Sequence, residues 1–149
     1  MQSKKILLVE DNANDIELTL AALDACDLAT EAAVTRDGAE ALDYLFRRGM
    51  FSSRTPQNPV LVLLDLKMPK VSGLDVLRQI RSDPVLRMIP VVVLSASREE
   101  PDLVEAYRLN VNAYVVKPVA FEKFIDVVKQ LSLFWLLTNE PPPMQGPRP

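Results

Sequence analysis

Short apolar runs alternate along the chain with segments whose apolar positions recur at helical spacing. Residues 4–10 hold the run Ile6-Leu7-Leu8-Val9 behind two lysines and predict a first strand. Asn12-Ala13-Asn14-Asp15 then offer capping side chains, and Ile16, Leu20 and Leu23 repeat with the period of a helix reaching about Ala25. Residues 31–36 form a weaker apolar stretch, better suited to a sheet edge than to its centre. Asp37-Gly38 turns into a second helix carrying Ala41, Leu42, Leu45 and Phe46 inward and ending near Arg48-Gly49.

Residues 50–59 contain two serines, a threonine, an asparagine and two prolines, a loop that is long for a helix-to-strand connection. The run Val60-Leu61-Val62-Leu63-Leu64 predicts a third strand over 60–65. A helix over 72–82 follows, with Leu74, Leu77 and Ile80 facing inward. Residues 90–94 predict the fourth strand. Ser97 with Glu100 matches a capping box for a helix running to about Leu109, with Pro101 tolerable in its first turn. Residues 113–117 make the fifth strand, and Phe121 to about Leu137 the last helix. This alternation predicts an α/β fold, a doubly wound parallel sheet with helices on both faces. Residues 1–137 read as one domain, and the proline-rich tail 138–149 as disordered.

Composition narrows the function. A chain of 149 residues with 48% hydrophobic and 25% charged positions fits one globular domain. Its net charge of -3, with Lys and Arg scattered, gives no electrostatic case for nucleic acid. No apolar run approaches the ~20 residues needed to span a bilayer, and the first strand is too short for a signal-peptide core. The lone Cys26 excludes an intrachain disulfide. Together these predict a cytoplasmic protein. With no histidine, the chain can carry neither a phosphohistidine of its own nor a Ser-His-Asp triad.

The polar residues that end the strands carry the candidate chemistry. Glu10 and Asp11 close the first strand, Asp65 the third, Ser95 the fourth and Lys117-Pro118 the fifth. In a doubly wound sheet, ligands bind at the carboxyl ends of the strands. Two unit charges ~4 Å apart repel by about 4 kcal/mol at an effective dielectric of about 20, so three clustered carboxylates call for a divalent cation. An all-oxygen site that retains waters favours Mg²⁺. Asp65 then suits a phosphoryl-accepting nucleophile, with Lys117 and Ser95 as partners for phosphate oxygens. Singly, each piece has a plainer reading: paired acids cap helices, Lys-Pro marks turns, and serine after a strand is a cap.

The stretches Ile6-Leu7-Leu8-Val9-Glu10-Asp11-Asn12, Leu64-Asp65-Leu66-Lys67-Met68-Pro69 with Gly73, Val93-Leu94-Ser95-Ala96 and Tyr114-Val115-Val116-Lys117-Pro118 jointly resemble the receiver domain of response regulators, over residues 4–137. The resemblance implies a flavodoxin-like (βα)5 fold with strand order 2-1-3-4-5. It implies that Asp65 accepts phosphate from a sensor histidine kinase. Asp11, Asp65 and the Lys67 backbone carbonyl would bind Mg²⁺, with Glu10 holding it largely through water. It implies a cis bond before Pro118, and a switch in which Ser95 moves toward the phosphoryl group while Tyr114 turns inward. The plainer reading of Tyr114 is a strand aromatic packed on the last helix. Asn110-Val111-Asn112 departs from the family's usual turn, but asparagine tolerates left-handed backbone. The Lys67 side chain, two residues past the nucleophile, is expected to alter the lifetime of the phosphorylated state.

With no output domain expected after the receiver, signalling would pass through its own surface. Leu133-Phe134-Trp135-Leu136-Leu137 advance by ~100° each and cover the whole helix circumference, more than one core face can bury. Leu133, Phe134 and Trp135 are therefore candidate interface residues; the alternative is a helix end tucked under the tail or the 50–59 loop. The long loop and this helix end are similar to small single-domain regulators paired with cyanobacterial and bacterial phytochromes. That likeness implies a homodimer through the fourth helix, fifth strand and fifth helix, and a phytochrome kinase as donor. Competing readings are a binding scaffold that is never phosphorylated, an aspartyl-nucleophile phosphatase and a flavodoxin. Lys67 stands where the phosphatase needs a second Asp, and acids stand where a flavodoxin needs its phosphate loop.

Overall fold

The computed structural model describes residues 4–27, 31–117 and 120–143. Five strands, β1 (Ile6–Val9), β2 (Ala32–Thr35), β3 (Leu61–Leu64), β4 (Val91–Ser95) and β5 (Ala113–Val116), pair in parallel in the order β2-β1-β3-β4-β5. Between them run α1 (Ala13–Asp24), α2 (Gly38–Phe46), α3 (Gly73–Ser82), α4 (Glu100–Arg108) and, after β5, α5 (Phe121–Leu133). This is the expected flavodoxin-like α/β architecture. The near-continuous apolar strands reflect a sheet covered on both faces. Leu7, Val9, Val62, Leu64, Val91 and Val93 face one cluster with α2, α3 and Ala106 of α4. Ile6, Leu8, Leu61, Leu63, Val92 and Leu94 face the other, with α1 and α5. β2 is an edge strand, as its weaker pattern foretold, and its first three residues are only half-buried.

Several local expectations hold for physical reasons. Asn12 caps α1, its Oδ1 accepting from the Asp15 N–H at 2.9 Å. Asn110 takes the left-handed conformation (φ 59°) that ends α4, as the turn requires. Asn112 then opens β5: its N–H donates to Val91 O at 2.7 Å, and its Oδ1 accepts from Val91 N–H at 2.9 Å. The long loop is held by Arg54, which donates to the carbonyls of Tyr44 (2.9 Å) and Gln57 (2.8 Å) and stacks on the Tyr44 ring.

One expectation is corrected, and two helix ends are placed more closely. Ser97 does not cap α4: Glu99 is the capping residue and offers no side-chain bond. Ser97 instead builds the preceding turn, accepting from Glu99 N–H at 3.3 Å and donating its hydroxyl to Asp102. α2 stops at Phe46, because Arg47 adopts the left-handed cap (φ 55°). The last helix is not uniform. It widens into a π-helical turn over Phe134–Thr138, ending close to the expected Leu137.

Candidate functional site

The register of the sheet builds the site. Val9 lies level with Leu64, Leu64 with Val93, and Ser95 with Val116, so the residues following these strands emerge along one edge. Glu10 N–H donates to Thr35 O, Asp65 N–H to Val9 O, and Lys117 N–H to Ser95 O, extending the ladder by one residue at each place. Carboxylate oxygens of Glu10, Asp11 and Asp65 all lie within 4.8 Å of one another. Glu10 and Asp65 are buried and Asp11 is exposed, leaving an open approach from solvent. Gly73 packs against this edge so closely that a Cβ there would stand 2.1 Å from the Asp65 carbonyl oxygen.

Lys117 bridges two acids. Its Nζ donates to Glu10 Oε1 at 2.8 Å and to Asp15 Oδ2 at 2.8 Å, with only 11% of its side chain exposed. Glu10 Oε2 also accepts from Asn12 N–H at 3.2 Å. Burial pushes the Glu10 carboxyl up to about 7; the charge of Asp65 adds to the rise, and Lys117 and the Asn12 N–H oppose it. For Lys117, burial pulls downward, but its bonds to Asp15 and Glu10 prevail and hold the amine above its ordinary value. The lysine is therefore charged. Among the described residues, no side-chain hydrogen bond is directed to the Asp65 carboxylate.

A second network flanks the first. Ser95 is fully buried, its Oγ accepting from Ser97 N–H at 3.2 Å. Tyr114 packs on the α2–α3–α4 side of the sheet, away from the last helix, and its hydroxyl donates to Ser97 O at 3.0 Å. Lys67 Nζ lies 3.3 Å from Asp102 Oδ2. The Ser97 hydroxyl first, and then Lys67, hold the Asp102 carboxyl below the usual carboxylate range, against its partial burial. Pro118, expected to follow a cis bond, lies outside the described residues.

The receiver-domain family model of response regulators matches residues 6–129. The chain belongs to that family. Receiver domains of this kind are signalling modules rather than classical enzymes, and the relatives sharpen the picture. The chain is 41% identical to the "Probable methanogenesis regulatory protein FilR2" of Methanothrix harundinacea, over 92% of this chain and 86% of that one. It is 38% identical to the response regulator Rcp1 of Synechocystis, over 91% and 90%. The structure of Rcp1 in its Mn²⁺-bound form superposes with a TM-score of 0.84, over 94% of this chain and 99% of that one. The phosphorylated cyanobacterial phytochrome response regulator RcpA superposes with a TM-score of 0.87 at 43% identity, over 95% and 100%. The receiver is thus akin to phytochrome-associated regulators.

This receiver's acids fit a divalent cation on their own chemistry. They form an all-oxygen donor set of three carboxylates whose oxygens lie within 4.8 Å of one another, and like charges that close repel until a cation offsets them. The structure brings together Glu10, Asp11, Asp65 and Lys117, all named from the sequence. Two participants were missed. Asp15 was read only as part of a helix cap, although it stands one helical turn beyond Asp11, within reach of the same edge. Asp102 had no local signal, because its partners Lys67 and Ser97 come from other loops.

At the opposite edge of α5, the sequence cluster divides. Leu133 and Phe134 are exposed by 37% and 47%, whereas Leu136 is buried. Trp135 is partly buried against the α1–α5 core and takes Phe134 edge-on at 5.1 Å. Lys4 Nζ donates to Leu136 O at 3.3 Å, pinning this turn to the start of the chain. No helix among the described residues is long and apolar enough to cross a membrane.

Proposed function

We propose that this receiver accepts a phosphoryl group on Asp65 from a phosphohistidine of a sensor histidine kinase, in a Mg²⁺-dependent reaction. The observation that carries the reading is the cluster of Glu10, Asp11 and Asp65 oxygens within 4.8 Å, beside a buried, charged Lys117. One Asp65 carboxylate oxygen forms the new O–P bond. The P–N bond to the donor imidazole breaks, and the nitrogen keeps its electron pair. Magnesium would be held by Asp11, Asp65 and the Lys67 carbonyl and more loosely by Glu10, and would supply charge neutralisation. Lys117 pairs with one phosphoryl oxygen and Ser95 donates its hydroxyl to another.

Phosphorylation then resets the flanking network. Ser95 is bonded to the Ser97 N–H and Tyr114 to the Ser97 carbonyl, so a shift of Ser95 toward the phosphoryl group pulls on the turn that Tyr114 holds. Leu133 and Phe134, with neighbouring Trp135 behind them, form the surface for a homodimer through the α4-β5-α5 face. The donor is a cytoplasmic kinase, and the relation to RcpA favours a phytochrome.

Incubation with acetyl phosphate and Mg²⁺ tests the central step. Intact-mass analysis should show one added phosphoryl group, absent in Asp65→Asn. Continuous release of phosphate from simple esters, without a labelled protein, would replace this reading with that of a phosphatase. No label under any donor would leave a binding scaffold. A phytochrome kinase assayed in red and far-red light, beside a kinase without a photosensor, tests the identity of the donor.

A further inference from the structure

We propose that Asp15 is a positioning residue for Lys117: it seats the ammonium at the first turn of α1 so that the lysine and a divalent cation do not both depend on Glu10. This rests on the Mg²⁺-dependent reading above. The conflict is visible in the geometry. Glu10 belongs to the three-acid cluster, yet its Oε1 also accepts from Lys117 Nζ at 2.8 Å. A cation drawn to the cluster meets a positive charge already resting on one of its ligands, and like charges in a buried edge repel strongly.

Asp15 offers the ammonium a second seat at the same distance, 2.8 Å, outside the cluster. A nearly buried ammonium needs such a partner, because losing its only counter-charge would leave it desolvated and unpaired. Asp15 is well fixed for the task. Its N–H is held by Asn12 Oδ1 at 2.9 Å and its carbonyl accepts from Thr19 Oγ1 at 2.8 Å, which sets the first turn of the helix. Its carboxylate sits where the helix dipole favours negative charge. Its side chain is 24% exposed against 5% for Glu10, so it reaches solvent as well as the ammonium. When Glu10 turns toward a cation, Lys117 remains tethered by Asp15 and stays within reach of a phosphoryl oxygen.

A helix-terminal acid with no further role would be indifferent to Lys117, and that separates the two accounts. Calorimetric titration of Mg²⁺ into the full chain gives a dissociation constant without any need for phosphorylation. Asp15→Asn should weaken Mg²⁺ binding by about fivefold or more. In a Lys117→Gln background, the same substitution should change it by less than about twofold, because there is no ammonium left to seat. Asp15→Glu, which keeps the carboxylate, should bind Mg²⁺ more tightly than Asp15→Asn.

An unchanged constant in Asp15→Asn overturns the proposal. So does an equal loss in both backgrounds, which would mean that Asp15 acts only as a distant negative charge. Absence of Mg²⁺ binding by the wild-type chain would remove the Mg²⁺-dependent reading itself and this inference with it. Binding by the wild type with no coupling to Lys117 would remove this inference alone.

Discussion

Lys67, two residues beyond Asp65, forms an ion pair with Asp102 in the first turn of α4, Nζ to Oδ2 at 3.3 Å. The pair joins the loop after β3 to α4, which follows the turn that Ser95 and Tyr114 hold. Since 62% of the Lys67 side chain is exposed, the pair contributes only about 0–1 kcal/mol. Its effect should be kinetic. Lys67→Asn shortens a side chain two residues past Asp65 and removes its pairing with Asp102, so the phosphorylated form should decay severalfold faster with little change in stability. Asp102→Asn, which frees the Lys67 amine, should shift the same rate. Phosphate release after removal of donor measures both, and unchanged rates would show that the Lys67 side chain has no part in the lifetime.

The raised carboxyl of Glu10 makes stability depend on pH. An ordinary Glu loses its proton near 4.5, but folded Glu10 keeps its proton up to about 7. Between these values the folded state binds more protons than the unfolded state, so stability falls as pH rises and levels off above about 7. The loss is at most about 3–4 kcal/mol. Urea midpoints of the metal-free chain should decline across this window, and the decline should vanish in Glu10→Gln. Lys117, held above its ordinary value, contributes stability throughout this window and loses it only in strong alkali.

Gly73 leaves no room for a methyl group. A Cβ would stand 2.1 Å from the carbonyl oxygen of Asp65 and 2.6 Å from the Leu66 Cα, both backbone atoms that cannot swing away. Gly73→Ala should destabilise the fold by about 1–3 kcal/mol and displace Asp65 itself. Chemical denaturation and acetyl phosphate labelling should both register the change. Normal labelling in a fully stable variant would show that the loop after β3 yields without moving Asp65.

The exposed pair Leu133 and Phe134 should mark the self-association surface. Sedimentation of the full chain with Mg²⁺ and beryllofluoride should show a dimer, and a Leu133→Ser, Phe134→Ser double variant should be a monomer that still labels on Asp65. A monomeric wild type in both the presence and the absence of beryllofluoride would discard this surface.

Much of this protein was written locally. Each strand was legible because a sheet covered on both faces demands unbroken apolar runs, and the polar residue ending each run marked the carboxyl edge. Glu10, Asp11, Asp65 and Lys117 could be assembled from the ends of three strands, since parallel pairing aligns them whatever the intervening helices do. Asn110 was legible in part, because tolerance of left-handed backbone is a property of the residue itself.

The tertiary structure alone decided the partners. Asp15 looks like any acid in a first helical turn until Lys117, 102 positions away, is brought to it. Ser97 looks like a cap because its local spacing fits, yet Asp102 and the Glu99 N–H outcompete the helix for its hydroxyl. At the end of α5 the sequence fixes only that five large apolar residues cannot share one face; the π-helical turn chooses which are buried, placing Leu136 inside and Phe134 outside. Spacing along the chain sets what a side chain can reach nearby, but a long-range ion pair or a buried face depends on which surfaces meet, and that follows from packing of the whole.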